Sequence, residues 1–224
     1  MTRLEHLRTR IQAAADRSGR VASDVRLLAV SKKQPLERIR ALIDEGQNCF
    51  GENYVDEALA KMDALSDIDL EWHFIGPVQS NKTRQLAERF DWVQSVDRAK
   101  IVRRLNEQRP PERGALNLLI QVNLDGEEQK AGCRPEDIES LAEAIDAAEN
   151  LCLRGLMAIP APREDPEQQQ EVFARLRGHF EILAAAHSSV DTLSAGMSGD
   201  LEAAIAAGST MIRVGTDLFG PRPE

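Results

Sequence analysis

Eight short apolar runs, separated by longer amphipathic stretches, recur from one end of this sequence to the other, and this alternation constrains the fold more than any other feature. A strand followed by a helix, repeated many times, builds a parallel sheet covered by its own helices. The strand candidates are residues 26–31, 48–50, 71–75, 91–95, 115–122, 151–159, 191–193 and 210–214. Before them, Leu4, Leu7, Ile11 and Ala14 repeat at helical spacing and predict an opening helix over 4–18. Pro35 is suited to start the helix that carries Ile39, Leu42 and Ile43. Further helices are expected at 53–65, 80–90, 98–108, 135–148, 166–187 and 200–207, with a short segment running to Gly220. Eight such steps in 224 residues predict one (β/α)8 barrel of TIM type with an extra N-terminal helix, rather than an open doubly wound sheet. No linker or composition shift interrupts the pattern, so residues 1–224 read as a single domain. Three prolines between 159 and 166 exclude both helix and central strand, and that segment reads as a mobile loop.

The charge balance narrows the partners. A formal net charge of −9 argues against nucleic acid or an anionic membrane surface, since both need a positive face. The first nineteen residues mix Arg, Glu, Asp and His among their apolar positions and form no signal peptide. No apolar run approaches the roughly 20 residues needed to cross a bilayer. Cys49, Cys133 and Cys152 are scattered and odd in number, so they read as reduced thiols in a cytoplasmic protein. Neither they nor the four histidines show a paired ligand spacing, and no metal site is expected.

In a barrel of this kind the chemistry sits where strands end and loops begin. The first strand ends in Ser31, Lys32 and Lys33. A lysine whose stem lies in a barrel mouth loses water, which favours its neutral, nucleophilic form and suits it to imine formation with a carbonyl. Read alone, the pair fits a surface cap better than an imine-forming site, and the pattern does not choose between the two lysines. The seventh strand leads into a small-residue loop, 194–200, that includes Ser198, and the eighth into Gly215 and Thr216. Loops at these two places commonly hold a phosphate, with glycine admitting close backbone approach and the hydroxyls donating. Arg213 lies inside the otherwise apolar last strand and needs a partner there, either a core carboxylate or a ligand atom. An imine-forming lysine, a phosphate cup and an arginine together describe pyridoxal 5′-phosphate better than a simple sugar phosphate.

These residues also carry a family resemblance. The segments LAVSK at 28–32, FGENY at 50–54, WHFIGP at 72–77 with QSNK at 79–82, GLMAI at 155–159, and Gly196-Met-Ser198 through Gly215 and Thr216 are long and uncommon. Through them the chain resembles, nearly end to end, the pyridoxal phosphate homeostasis proteins, also called the proline synthase co-transcribed family. The resemblance implies an alanine racemase-like barrel without the C-terminal β domain, holding pyridoxal 5′-phosphate as a Schiff base on Lys32. It places Asn53 near the cofactor ring, Arg213 opposite the pyridine nitrogen, and Ser198, Gly215 and Thr216 in the phosphate cup. Met157 would line the pocket. Ala195, Gly196 and Gly199 depart from the family pattern around the serine, but all are small. His73, Trp72, Phe74, Phe50 and Trp92 are read as packing residues, and Tyr54 as either packing or pocket closure.

Two functions from different classes follow. One is a non-catalytic carrier that stores or delivers the vitamin B6 cofactor to PLP-dependent apo-enzymes, with consequences for amino-acid metabolism. The other is an amino-acid racemase of low activity, which needs an acid/base group on each face of the substrate α-carbon. Lys32 serves one face; alanine racemases take the other from a tyrosine on a second domain of the partner subunit, for which the sequence has no room. Arg213, which only donates, also weakens the ring as an electron sink. The carrier reading is favoured, with no catalytic residue assigned and a monomer expected. A third reading needs no cofactor: an aldolase using Lys32 on a sugar phosphate.

Overall fold

A computed structural model describes residues 1–127, 131–163 and 165–220. Glu164, within the segment read as a mobile loop, and residues 221–224 of the single-domain reading lie outside the described residues.

The opening helix, α1 (Arg3–Arg17), starts in a reciprocal cap: Thr2 Oγ1 accepts from the Glu5 amide at 3.2 Å, and Glu5 Oε2 accepts from the Thr2 amide at 2.8 Å. Eight strand–helix steps follow. They are β1 (Arg26–Val30) and α2 (Leu36–Asp44), β2 (Cys49–Glu52) and α3 (Val55–Ala64), β3 (Glu71–Phe74) and α4 (Thr83–Arg89), and β4 (Trp92–Val96) and α5 (Ala99–Gln108). Then come β5 (Leu116–Gln121) and α6 (Ile138–Asp146), β6 (Leu151–Met157) and α7 (Pro166–Ala186), β7 (Thr192–Ser194) and α8 (Leu201–Ala206), and β8 (Met211–Val214) and α9 (Thr216–Phe219). All eight strands pair in parallel and close into one barrel, with β8 returning to β1. Helix α1 packs across α8 and α9.

Alternation along each strand divides the core in two. Ala29, Phe50 and Val93 join the large outer cluster between strands and helices. Leu28, Cys49, Ile75 and Met211, and separately Trp92, Leu119 and Met157, fill the barrel itself. At Gly51 a Cβ would stand 3.0 Å from Leu28 Cδ2, so any larger residue here would press Leu28 and Ile75 aside in the interior.

Several boundaries differ from the sequence reading. Strand β2 runs on through Gly51 and Glu52, two residues with low strand propensity that the barrel nonetheless pairs with β3. The helices expected at 80 and 135 begin as 3₁₀ turns, Ser80–Lys82 and Pro135–Asp137. Ser194, read as the start of a loop, is the last residue of β7, and its hydroxyl is buried inside the barrel.

Candidate functional site at the C-terminal mouth of the barrel

Every residue singled out as a cofactor contact lies at, or just beyond, the C-terminal end of a strand. Lys32 sits in the turn after β1, half-buried, while Lys33 beside it is exposed. Lys33 also has φ 58°, in the left-handed region that non-glycine residues rarely adopt. Asn53 follows β2, and its Oδ1 is buried without a hydrogen-bond partner. A cavity of about 320 Å³ opens beside it, lined by Tyr54, Phe74, Gln79 and Lys82 among others. Tyr54 is 51% exposed and so packs into no core.

The last strand brings Arg213 opposite Leu28, and Val214 opposite Ala29. Gly215 then passes so close to the end of β1 that a Cβ would come within 3.2 Å of the Val30 carbonyl oxygen. The β8–α9 loop therefore lies against the strand end from which Lys32 projects. Ser198 stands in the neighbouring β7–α8 loop, and Arg10 of α1 ties both loops together from behind. Its guanidinium donates to Ser198 O at 3.2 Å, Glu202 Oε1 at 2.9 Å and Asp217 Oδ2 at 2.6 Å. Sequence reasoning did not find Arg10, because a polar position on an amphipathic helix looks like solvent-facing surface.

Met157 ends β6, but its side chain is wholly buried against Trp92 and Leu119. It packs at the end of the strand within the barrel interior.

Arg213 is 3% exposed and donates from Nη1 to Ser194 Oγ at 2.7 Å and from Nη2 to Ala158 O at 2.8 Å. Burial pushes its guanidinium down to about 10, partly offset by the carboxylate of Asp200, so it remains a cation at neutral pH. Among the described residues no carboxylate stands within ion-pair distance of it. A buried cation with only neutral partners favours an electron-rich atom beside it.

Below Arg213 a column of hydrogen bonds descends the barrel axis. Ser194 Oγ donates to Gln94 Oε1 at 2.7 Å, Gln94 Nε2 donates to His73 Nδ1 at 2.8 Å, and His73 Nε2 donates to Glu71 Oε1 at 2.5 Å. His73 is a satisfied core residue, as expected, and stacks on Trp92 with ring centroids 5.1 Å apart. Burial lowers its proton affinity, so the ring is neutral. At the far mouth Arg26 reaches Glu71 Oε1 at 2.7 Å and Cys49 Sγ at 3.0 Å. Burial opposes the ionisation of Glu71, but the His73 hydrogen bond and the Arg26 guanidinium outweigh it and hold the carboxyl at about 2. Burial and the Glu71 carboxylate push the Cys49 thiol up to about 11.

The ligand-type atoms of Cys49, Glu71 and His73 lie within 4.8 Å of one another, a grouping that sequence spacing did not reveal. The Arg26 guanidinium already stands among them as their cation.

Comparison with known proteins agrees with this architecture. Residues 2–223 match the family described as alanine racemase, N-terminal domain. A pyridoxal phosphate homeostasis protein of Pseudomonas aeruginosa is 54% identical over 213 residues, covering 95% of this chain and 91% of that protein. PipY of Synechococcus elongatus PCC7942, solved without PLP, superposes with a TM-score of 0.86 at 37% identity, covering 97% of this chain and 98% of that one. The same protein solved with PLP bound gives a TM-score of 0.82, covering 94% and 100%.

Proposed function

This chain belongs to the family of pyridoxal phosphate homeostasis proteins, and on that premise we propose that it binds pyridoxal 5′-phosphate at the C-terminal mouth through Lys32 and stores or delivers it. The residues present fit the group. Asn53 Oδ1 is a buried acceptor lacking a donor, and Arg213 is a buried cation whose hydrogen-bond partners are neutral. The two loops that would take the phosphate are fastened together by one arginine behind them. This last arrangement is the observation that carries the reading, because two linked loops beside the strand end bearing a lysine are where an anion cup would lie.

When bound, the cofactor supplies an aldehyde carbon open to an amine. Lys32 provides that amine from a half-buried position. Ser198 and Thr216 supply hydroxyl donors and Gly215 a close backbone approach for the phosphate. Arg213 donates toward the ring, and since it keeps its own proton it discourages protonation of a ring nitrogen. That supports holding the group over running fast turnover on it. Met157 seals the interior below.

The wider reading is a single domain spanning 1–224, acting in the cytoplasm as a monomer and serving PLP-dependent apo-enzymes as recipients. The net charge of −9 supports its leaving nucleic acid and anionic membrane surfaces aside. The direct test is titration of the purified protein with pyridoxal 5′-phosphate, followed by borohydride reduction and peptide mapping. The expected result is visible absorption and one added pyridoxyl mass on the peptide containing Lys32, both lost in Lys32→Ala. Label on another residue, or none, would overturn the assignment. Steady α-deuteration of L-amino acids in deuterated water, abolished in Lys32→Ala, would overturn the carrier reading in favour of a racemase.

A further inference from the structure

The two peptide groups that flank Lys32 are both gripped by side chains of α3, the helix that follows the neighbouring strand β2. On one side Lys61 Nζ, from α3, donates to Ser31 O at 2.7 Å. On the other the Lys33 amide donates to Glu57 Oε1 at 2.6 Å. The grips are joined to each other, for Lys61 Nζ also meets Glu57 Oε1 at 2.7 Å and Glu52 Oε1 at 2.7 Å. Ser31 closes the ring by donating its own hydroxyl to Glu52 Oε1 at 2.6 Å.

We propose that Lys61, with Glu52 and Glu57, is a positioning clamp that fixes the backbone of Lys32 so that its amine meets the cofactor aldehyde. The proposal rests on the reading of Lys32 as the cofactor lysine and deepens it. Three features favour a positioning role over an ordinary charge cluster. First, the clamp acts on the turn itself, where Lys33 is the one non-glycine residue with positive φ among the described residues. Such a backbone persists only where its surroundings over-determine it. Second, the clamp is buried at some expense: Lys61 is 5% exposed, Glu52 is fully buried, and Glu52 Oε2 has no partner. Burial pushes the Glu52 carboxyl up against the pull of Lys61 and Ser31. A cluster needed only for stability is commonly replaceable by apolar packing. Third, α3 begins two residues after Asn53, so the helix that holds the lysine turn also ends the loop expected to touch the ring. The phosphate is held by loops on the other side of β1, so the amine reaches the aldehyde only if the turn is fixed relative to those loops.

A clamp of this kind makes a selective prediction. Pyridoxine 5′-phosphate carries the same ring and phosphate but an alcohol in place of the aldehyde, so it uses the cup without needing the amine. Lys61→Met alone would strand Glu52 as a buried charge, so the main variant is the pair Lys61→Met with Glu52→Gln. A displacement of about 1 Å in a reacting group costs up to roughly a hundredfold. The expected result for the pair is therefore weaker binding of pyridoxal 5′-phosphate by roughly tenfold to a hundredfold, with pyridoxine 5′-phosphate changed by less than about twofold. Lys61→Arg, which keeps a donor, should recover part of the loss. Glu57→Ala, at a more exposed position, provides the same test with less risk to folding. Equal weakening of both ligands, or no weakening of either, would overturn the clamp while Lys32→Ala still loses the aldehyde ligand. If Lys32→Ala itself leaves pyridoxal 5′-phosphate binding unchanged, the parent reading fails and the clamp with it.

Discussion

Replacing Gln94 with leucine tests whether the axial column holds the barrel together. Gln94 is fully buried and stands midway down, accepting from Ser194 Oγ at 2.7 Å and donating to His73 Nδ1 at 2.8 Å. Leucine has a similar size and can neither accept nor donate, so the Ser194 hydroxyl loses its acceptor and His73 Nδ1 its donor. Each buried group left without a partner costs about 1–3 kcal/mol. The leucine recovers about 1 kcal/mol because no amide must then be stripped of water. The net loss works out near ~3 kcal/mol, which for a chain of this length lowers Tm by roughly 6–12 °C.

The assay is urea and thermal unfolding followed by circular dichroism, with the m-value checked for constancy. Ser194→Ala removes one of the same hydrogen bonds, so the double variant should lose less than the sum of the singles by about 1 kcal/mol. A loss below about 0.5 kcal/mol for Gln94→Leu, or strict additivity in the double variant, would refute the idea that these bonds act as one connected unit.

Two further predictions follow from the far mouth and from the phosphate side. Glu71 is depressed from 4.5 to about 2, so the stability it contributes is present above its ordinary value and is lost as pH falls through the interval between the two. Since its side chain is 31% exposed, that contribution is roughly 1–2 kcal/mol after screening. Arg26→Ala should remove part of that contribution at pH 7 while leaving stability at the acid end, where Glu71 is protonated, nearly unchanged; an equal loss at both ends would show that Arg26 does not hold the carboxylate. Arg10→Met should loosen both anion loops together and weaken pyridoxal 5′-phosphate and pyridoxine 5′-phosphate by similar factors, about tenfold. Selective loss of the aldehyde ligand alone would contradict a role confined to the phosphate side.

The barrel was legible because its strands keep their apolar character along most of their length and its helices keep their spacing. The place of the two loops expected to hold an anion was legible, because their position after the seventh and eighth strands carries meaning without any knowledge of contacts. Choosing between Lys32 and Lys33 was not possible from pattern, since both follow the same strand end; the structure separates them through burial and the left-handed backbone at Lys33. Cys49, Glu71 and His73 escaped because the first and second come from neighbouring parallel strands in direct register, a relation that adjacent spacing never displays. Glu57 and Lys61 read as an i,i+4 pair of the kind that decorates helix surfaces. Only the packing of α3 against the barrel reveals that the pair faces inward onto the lysine turn.

The axial column also has a direction, fixed by its ends. Arg213 can only donate, and an ionised Glu71 can only accept. Between them Ser194, Gln94 and His73 can each do both, so the ends decide how all three are oriented. Donation runs from Arg213 to Ser194, from Ser194 to Gln94, from Gln94 to His73 Nδ1 and from His73 Nε2 to Glu71. The ordering requires a neutral imidazole with its proton on Nε2, which agrees with the effect of burial on His73. A column polarised in this way cannot pass a proton upward, because the arginine at its top accepts none. The barrel axis therefore supplies a fixed donor beneath the mouth.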